Sequence, residues 1–201
     1  MTGHRPLYRE IGANYDNFGD RGKRERKISL CGGCADRIRR WRQDYIATMY
    51  PFDEESKKRV ERHRRMRAEK KFTTIECYTG LKNVQVPKGA CVLLECLSNL
   101  TANEMFQEDG AGSRTVEAVL EGIASLEAQA AELVVVTNEI FSDGIEYDEE
   151  TRQYQKYLGE INRETARRAC QVTEVVYGLP LTYKSRTDKN DRMGEMCDET
   201  E

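Results

Sequence analysis

Arg59, His63 and Arg67 recur in steps of four within "RVERHRRMR" (residues 59–67). On an α-helix that spacing stacks the three side chains on one face. His63 is also one of only two histidines in the chain. A neutral imidazole with a guanidinium one turn away on either side suits nucleophilic attack on a phosphate. The cations would hold the anion and, by charge repulsion, keep the ring unprotonated. The competing reading is a solvated helix face, and on these residues alone the two stand level. Val60 and Met66 are the main aliphatic residues of the surrounding stretch, so a packed core histidine is not expected.

Other residues could serve the same chemistry. Glu95 closes the apolar part of "CVLLECLSNLTAN" (91–103), where a strand-end acid can orient magnesium or its water. A solvated strand-end acid is the equal alternative. Asn138 and Glu139 end "VVVTNE" (134–139), at the carboxyl end of a buried strand, the usual side for ligand crevices in parallel sheets. "CGGC" (31–34) has the spacing of half a zinc site or of a redox pair. Cys31 and Cys34 lack a second Cys or His pair to complete four ligands, and a plain turn is the favoured reading. "NFGDRGKR" (17–24) approaches a phosphate-binding loop, but Asn17 replaces the first glycine and Arg24 the magnesium-binding hydroxyl. It is rejected as a working loop.

The elements that must position these groups alternate in type. Apolar runs at 72–78, 90–97, 132–139 and 173–181 read as buried strands, with 44–51 as a fifth. Their unbroken aliphatic character points to burial on both faces. Between them, 53–71, 113–131 and 148–169 carry helical patterns. The first opens on Asp53-Glu54-Glu55 and closes on Lys70-Lys71, the charge order a helix dipole favours. Strands alternating with helices predict an α/β sandwich with a mainly parallel sheet. Residues 44–184 are expected to form the packed domain, residues 1–43 an atypical segment docked loosely, and residues 185–201 a polar tail.

Composition sets the outer bounds. At 201 residues, with 38% hydrophobic and 33% charged, the chain suits one domain. A net charge of -3 argues against general nucleic-acid binding, although 21–43 and 57–71 are locally basic. No apolar run approaches the ~20 residues of a membrane span, and no signal-peptide core opens the chain. Seven cysteines, mostly inside apolar runs, read as reduced, buried thiols in a cytoplasmic protein.

Seven segments together resemble the bifunctional adenosylcobinamide kinase/adenosylcobinamide-phosphate guanylyltransferase family of cobalamin biosynthesis. In order they are "YIAT" (45–48), "RVERHRRMR" (59–67), "TIEC" (74–77), "VLLECLSNLTAN" (92–103), "VVVTNEIFSDGI" (134–145), "LGEINRETA" (158–166) and "VVYGLPLTYK" (175–184). The resemblance implies a P-loop NTPase-like three-layer α/β sandwich. It implies that His63 attacks the α-phosphorus of GTP and carries GMP as a phosphoramidate. It also implies Glu95 as the Walker-B acid for Mg2+, with Arg59, Arg67, Glu76, Asn138 and Glu139 around the nucleotide. The expected substrates are GTP, with ATP as a second nucleotide, and adenosylcobinamide or its phosphate; other copies of the chain are expected partners.

The chain departs from the family at one place. Where members carry a strand and a Gly-Lys-Ser loop, it has "RKISLCGGCADRIRRWRQ" (26–43), so the first strand and phosphate loop are atypical. Kinase activity is therefore expected to be weak or absent. Two rivals to the enzyme reading follow from the same residues: a non-catalytic relative that has lost its triphosphate site, and a zinc or nucleic-acid module in residues 1–43.

Overall fold

The computed structural model describes residues 25–31, 43–69, 72–138, 140, 147–176 and 179–185, without the side chains of 25–31 and 66–69. The helix expected over 53–71 is α1, Glu54–Glu69. Its sequence has little apolar surface to bury, so local terms must carry it. Asp53 Oδ1 accepts from the Ser56 backbone N–H at 2.7 Å, filling one of the orphan donors of the first turn. Glu54–Lys57, Glu55–Arg59 and Glu61–Arg65 pair at 2.6, 3.0 and 3.1 Å, with the acid on the N-terminal side as the dipole prefers. Among residues 54–65 only Val60 is buried.

The strands are β1 (Glu25–Cys31), β2 (Gln43–Ala47), β3 (Thr73–Glu76), β4 (Cys91–Glu95), β5 (Glu132–Asn138), β6 (Gln171–Val176) and β7 (Leu179–Lys184). They form one sheet in the order β3-β2-β4-β5-β1-β6-β7. The block β3-β2-β4-β5 is parallel throughout. The helices that connect and cover it are α2 (Leu97–Phe106), α3 (Thr115–Gln129) and α4 (Glu149–Arg168). This is the expected α/β architecture with a mainly parallel sheet flanked by helices.

Strands β2, β4 and β5 of the parallel block are buried on both faces, which explains their unbroken apolar runs, whereas the edge strand β3 is mostly exposed. Ile46, Leu94 and Val135 pack under Leu97 and Leu100 of α2, Val119, Ile123 and Leu126 of α3, and Leu158 and Ile161 of α4. Tyr45, Ala47, Leu93, Val134 and Val136 form a second cluster on the opposite face, with Phe72 against it. No described helix contributes to that second cluster. Gly122 lets α3 approach a short 3-10 turn, Leu81–Asn83: a Cβ there would sit 2.6 Å from the Leu81 Cβ.

Several expectations are corrected. The run 90–97, expected as one strand, is strand β4 followed by the first residue of helix α2. The run 173–181 is two antiparallel strands, β6 and β7. The segment expected to dock loosely contributes β1, whose backbone pairs with β5 on one edge and β6 on the other. Cys170 is disulfide-bonded, unlike the expected reduced thiols, whereas Cys77, Cys91 and Cys96 are free. Cys34, residues 17–24 and most of the tail lie outside the described residues. No described helix is long and apolar enough to cross a membrane.

Candidate active site

Strand register decides which side chains meet. Ala47 pairs with Glu76 on β3 and with Glu95 on β4, and Glu95 pairs with Val136 on β5. Glu76, Ala47, Glu95 and Val136 thus form one row across the carboxyl ends of the parallel strands. Residues in one such row share a face, and Asn138 shares it too, two positions beyond Val136. It is the face carrying Tyr45, opposite α2, α3 and α4. Three of the candidate residues therefore line one edge, with Glu76 and Glu95 two strand spacings, roughly 10 Å, apart.

Each acid has a partner. The Tyr45 hydroxyl, one pleat period before Ala47, donates to Glu95 Oε2 at 2.6 Å. Arg64 of α1 donates to Glu76 Oε1 through Nε at 2.7 Å and through a second nitrogen. The Tyr78 hydroxyl donates to Glu76 Oε2 at 2.9 Å. Arg64 is the residue after His63, so this ion pair ties the histidine's helix to the carboxyl row. His63 itself is partly exposed.

Behind the row, the ends of β2 and β4 are clamped together. The Thr48 hydroxyl accepts from the Cys96 N–H at 2.7 Å and donates to the Cys96 carbonyl at 2.9 Å. Asn103 of α2 donates to the Thr48 carbonyl at 2.8 Å. Asn138 donates to Ser98 Oγ at 2.9 Å, and the Tyr154 hydroxyl donates to the Ser98 carbonyl at 3.1 Å. Cys96 lies 2.9 Å from Ser98 Oγ, and burial pushes its thiol up to about 11. It is protonated near neutral pH and is no nucleophile.

The remaining candidates separate. Arg59 is exposed and bonded to Glu55 rather than to the row. The Arg67 side chain and Glu139 lie outside the described residues. Among the described residues no group of three His, Cys, Asp or Glu could hold a metal without other ligands. Glu76 and Glu95 are the carboxylates of the row, and a magnesium held by one of them would take its remaining ligands from phosphate oxygens and water.

The sequence model of the family described as cobinamide kinase / cobinamide phosphate guanyltransferase matches residues 30–183. The chain belongs to that family. A bifunctional adenosylcobalamin biosynthesis protein of Escherichia coli is 28% identical over 154 residues, covering 70% of this chain and 84% of that protein. Its counterpart in Salmonella typhimurium is 26% identical over 154 residues, with the same coverage of 70% and 84%.

The direction of β1 bears on the missing phosphate loop. It runs antiparallel to β5, with Glu25 opposite Asn138 and Cys31 opposite Glu132. The strand therefore starts at the carboxyl row and ends at the far edge of the sheet. A strand that feeds a phosphate loop must end at the carboxyl row, as parallel topology requires. Cys31, the first residue of "CGGC", therefore lies at the edge of the sheet opposite the carboxyl row.

Sequence reasoning missed Tyr45, Thr48, Ser98 and Asn103. The signal for Tyr45 was present in part, because it shares a pleat face with Ala47. Its partner on the neighbouring strand follows only from register.

Proposed function

We propose that the chain transfers GMP from GTP to adenosylcobinamide phosphate through a covalent intermediate on His63. The supporting observation is the Arg64–Glu76 ion pair, which fixes the helix bearing His63 to the row that holds Glu95. Attack by an imidazole nitrogen forms a P–N bond to the α-phosphorus. The α–β P–O bond breaks, and its electron pair leaves with pyrophosphate. A phosphate oxygen of the acceptor then attacks the same phosphorus, breaking the P–N bond and regenerating His63. Arg59 would have to leave Glu55 to reach a phosphate. That exchange is cheap, because exposed ion pairs are worth about 0–1 kcal/mol. Glu95 would hold magnesium, which when bound offsets phosphate charge.

The kinase half-reaction is expected to be weak or absent. Phosphoryl transfer depends on a backbone nest and a lysine around the β- and γ-phosphates. The antiparallel β1 supports their loss from this edge.

Incubation with α-labelled GTP and magnesium tests the reading. Acid-labile, alkali-stable label is expected on the protein, with none from γ-labelled GTP. His63→Ala should abolish it and remain folded, since alanine is the best helix former. Arg59→Ala should slow labelling without ending it. Label that persists in His63→Ala refutes the assignment.

A further inference from the structure

Cys170 is disulfide-bonded, whereas Cys77, Cys91 and Cys96 are free thiols. The remaining cysteines of the chain are Cys31, Cys34 and Cys197, so one of these is the partner. We propose that Cys170 and the two cysteines of "CGGC" form a thiol–disulfide exchange centre. Either Cys31 or Cys34 pairs with Cys170, and the bond locks the end of β1 into the sheet.

Backbone pairing selects the partner. Ser29 of β1 stands opposite Gln171, the first residue of β6. β1 runs two residues further, to Cys31, on the side where α4 ends at Arg168 and gives way to β6. Ala169 and Cys170 occupy that junction. Adjacent strands lie about 4.8 Å apart, and a disulfide needs Cα atoms about 4.4–6.8 Å apart. The end of β1 is thus delivered to bridging range of Cys170. Cys34 follows three positions on, so its Cα lies within about 11 Å of that of Cys31. No described element brings Cys197 there.

Selectivity is the second observation. Cys91 and Cys31 both stand opposite Glu132 in one row of the sheet, yet Cys91 is free. Burial pushes the Cys77, Cys91 and Cys96 thiols up to about 11, so little of the attacking thiolate forms on them near neutral pH. Exchange is thereby confined to Cys170 and the "CGGC" pair.

Spacing gives the pair its chemistry. Two intervening residues let Cys31 and Cys34 bridge to each other, the pattern of a redox pair. Whichever of them is not bonded to Cys170 serves as a resolving thiol. Its thiolate attacks the sulfur of its neighbour, the Cys31–Cys34 bond forms, and Cys170 leaves as a thiolate that takes up a proton. That step involves no net oxidation. A dithiol reductant opens the centre fully: one of its sulfurs attacks the Cys170 disulfide, the second closes it to a cyclic disulfide, and the protein keeps two thiols. Cys170 is 5% exposed, which directs attack from solvent to the partner sulfur.

The bond has leverage because it spans most of the chain. It closes a loop of more than a hundred residues, the length at which a cross-link removes most freedom from the unfolded chain. β1 lies between β5 and β6, and its other end, Glu25, stands opposite Asn138 at the carboxyl row. Opening the bond frees the far end of a strand that reaches the candidate site.

The full chain, purified without reductant and blocked with N-ethylmaleimide, is mapped by mass spectrometry of unreduced peptides. Cys170 should be linked to Cys31 or Cys34. Cys31→Ser should leave Cys170 linked to Cys34, Cys34→Ser should leave it linked to Cys31, and Cys170→Ser should leave Cys31 linked to Cys34. Dithiothreitol should lower the melting temperature of the parent by roughly 5–15 °C. It should lower that of Cys170→Ser far less, because a bridge within "CGGC" closes only a short loop. The map and melting temperature of the parent need no substitution, so a variant that fails to fold leaves the proposal testable. Cys170 found free or linked to Cys197 overturns it, as does a parent that holds zinc on these thiolates and has no disulfide. A Cys170 link that survives in only one of the two "CGGC" variants shows a fixed staple and overturns the exchange.

Discussion

Glu104→Ala is the most demanding single test of how the cleft beside the carboxyl row, lined by Tyr50, Glu76, Tyr78 and Asp109, is built. The carboxylate is the shared acceptor for two backbone donors, Gly80 N–H at 2.7 Å and Ala111 N–H at 2.9 Å. Truncation leaves both partly buried donors without that acceptor, at about 1–3 kcal/mol each. Partial access of water places each near the lower half of that range, giving a loss of about 3 kcal/mol in all. For a chain of this length each kcal/mol moves the melting temperature by about 2–4 °C, so a fall of about 6–12 °C is expected. Glu104→Gln keeps one acceptor oxygen but sets an amide N–H₂ toward the second donor, and should lose about half as much. Urea denaturation followed by circular dichroism gives the free energy, and a thermal scan gives the melting temperature. A Glu104→Ala protein within about 1 kcal/mol of the parent would refute the view that this one side chain holds the two loops.

Two further outcomes are expected. Gly122→Ala should destabilise by about 1–3 kcal/mol in urea, because the new Cβ would lie 2.6 Å from Leu81 Cβ and 2.8 Å from its Cγ in a closed core; an unchanged midpoint would show that Leu81 moves aside freely. Burial pushes the Cys77, Cys91 and Cys96 thiols from 9.0 up to about 11, chiefly by desolvation. Above pH 9 the unfolded chain gives up these protons before the folded one does, so their contribution to stability is whole below pH 9 and is lost as the pH rises toward 11. Urea midpoints measured from pH 8 to 11 should fall most steeply across that window, and a flat profile would contradict it.

Much of the fold was legible because its causes are local. The helix at Glu54–Glu69 follows from an acidic start, a capping aspartate and glutamate–arginine spacings of four, all contained within one stretch of chain. Strands β2, β4 and β5 were visible as apolar runs because both faces of the sheet are buried there. Helix α2 was missed because Leu97 and Leu100 continue the apolar run of β4 without a turn signal, and periodicity does not separate a buried strand from the buried helix that follows it. The family was legible too, from short segments in a fixed order.

The site divides along the same line. His63 could be singled out from its residue type and from the arginines one turn away, since a helix brings such positions together by itself. That Arg64, rather than Arg59, makes the link to Glu76 could not be read, because the two lie 12 positions apart and meet only through packing. Tyr45 and Glu95 are 50 positions apart and are joined by the register of two parallel strands. The direction of β1 follows from backbone pairing with β5 and β6, partners more than a hundred residues later in the chain. The cleft draws on the loops at 50, 76–84 and 107–109, with Glu104 of α2 tying the last two together. Sequence by itself determined helices α1, α3 and α4, strands β2 to β5 and the nucleophile candidate, because propensity, capping and helical spacing act over a few residues. Tertiary structure alone decided the acid partners, the strand direction and the cleft, because backbone pairing and loop convergence join residues that no local pattern relates.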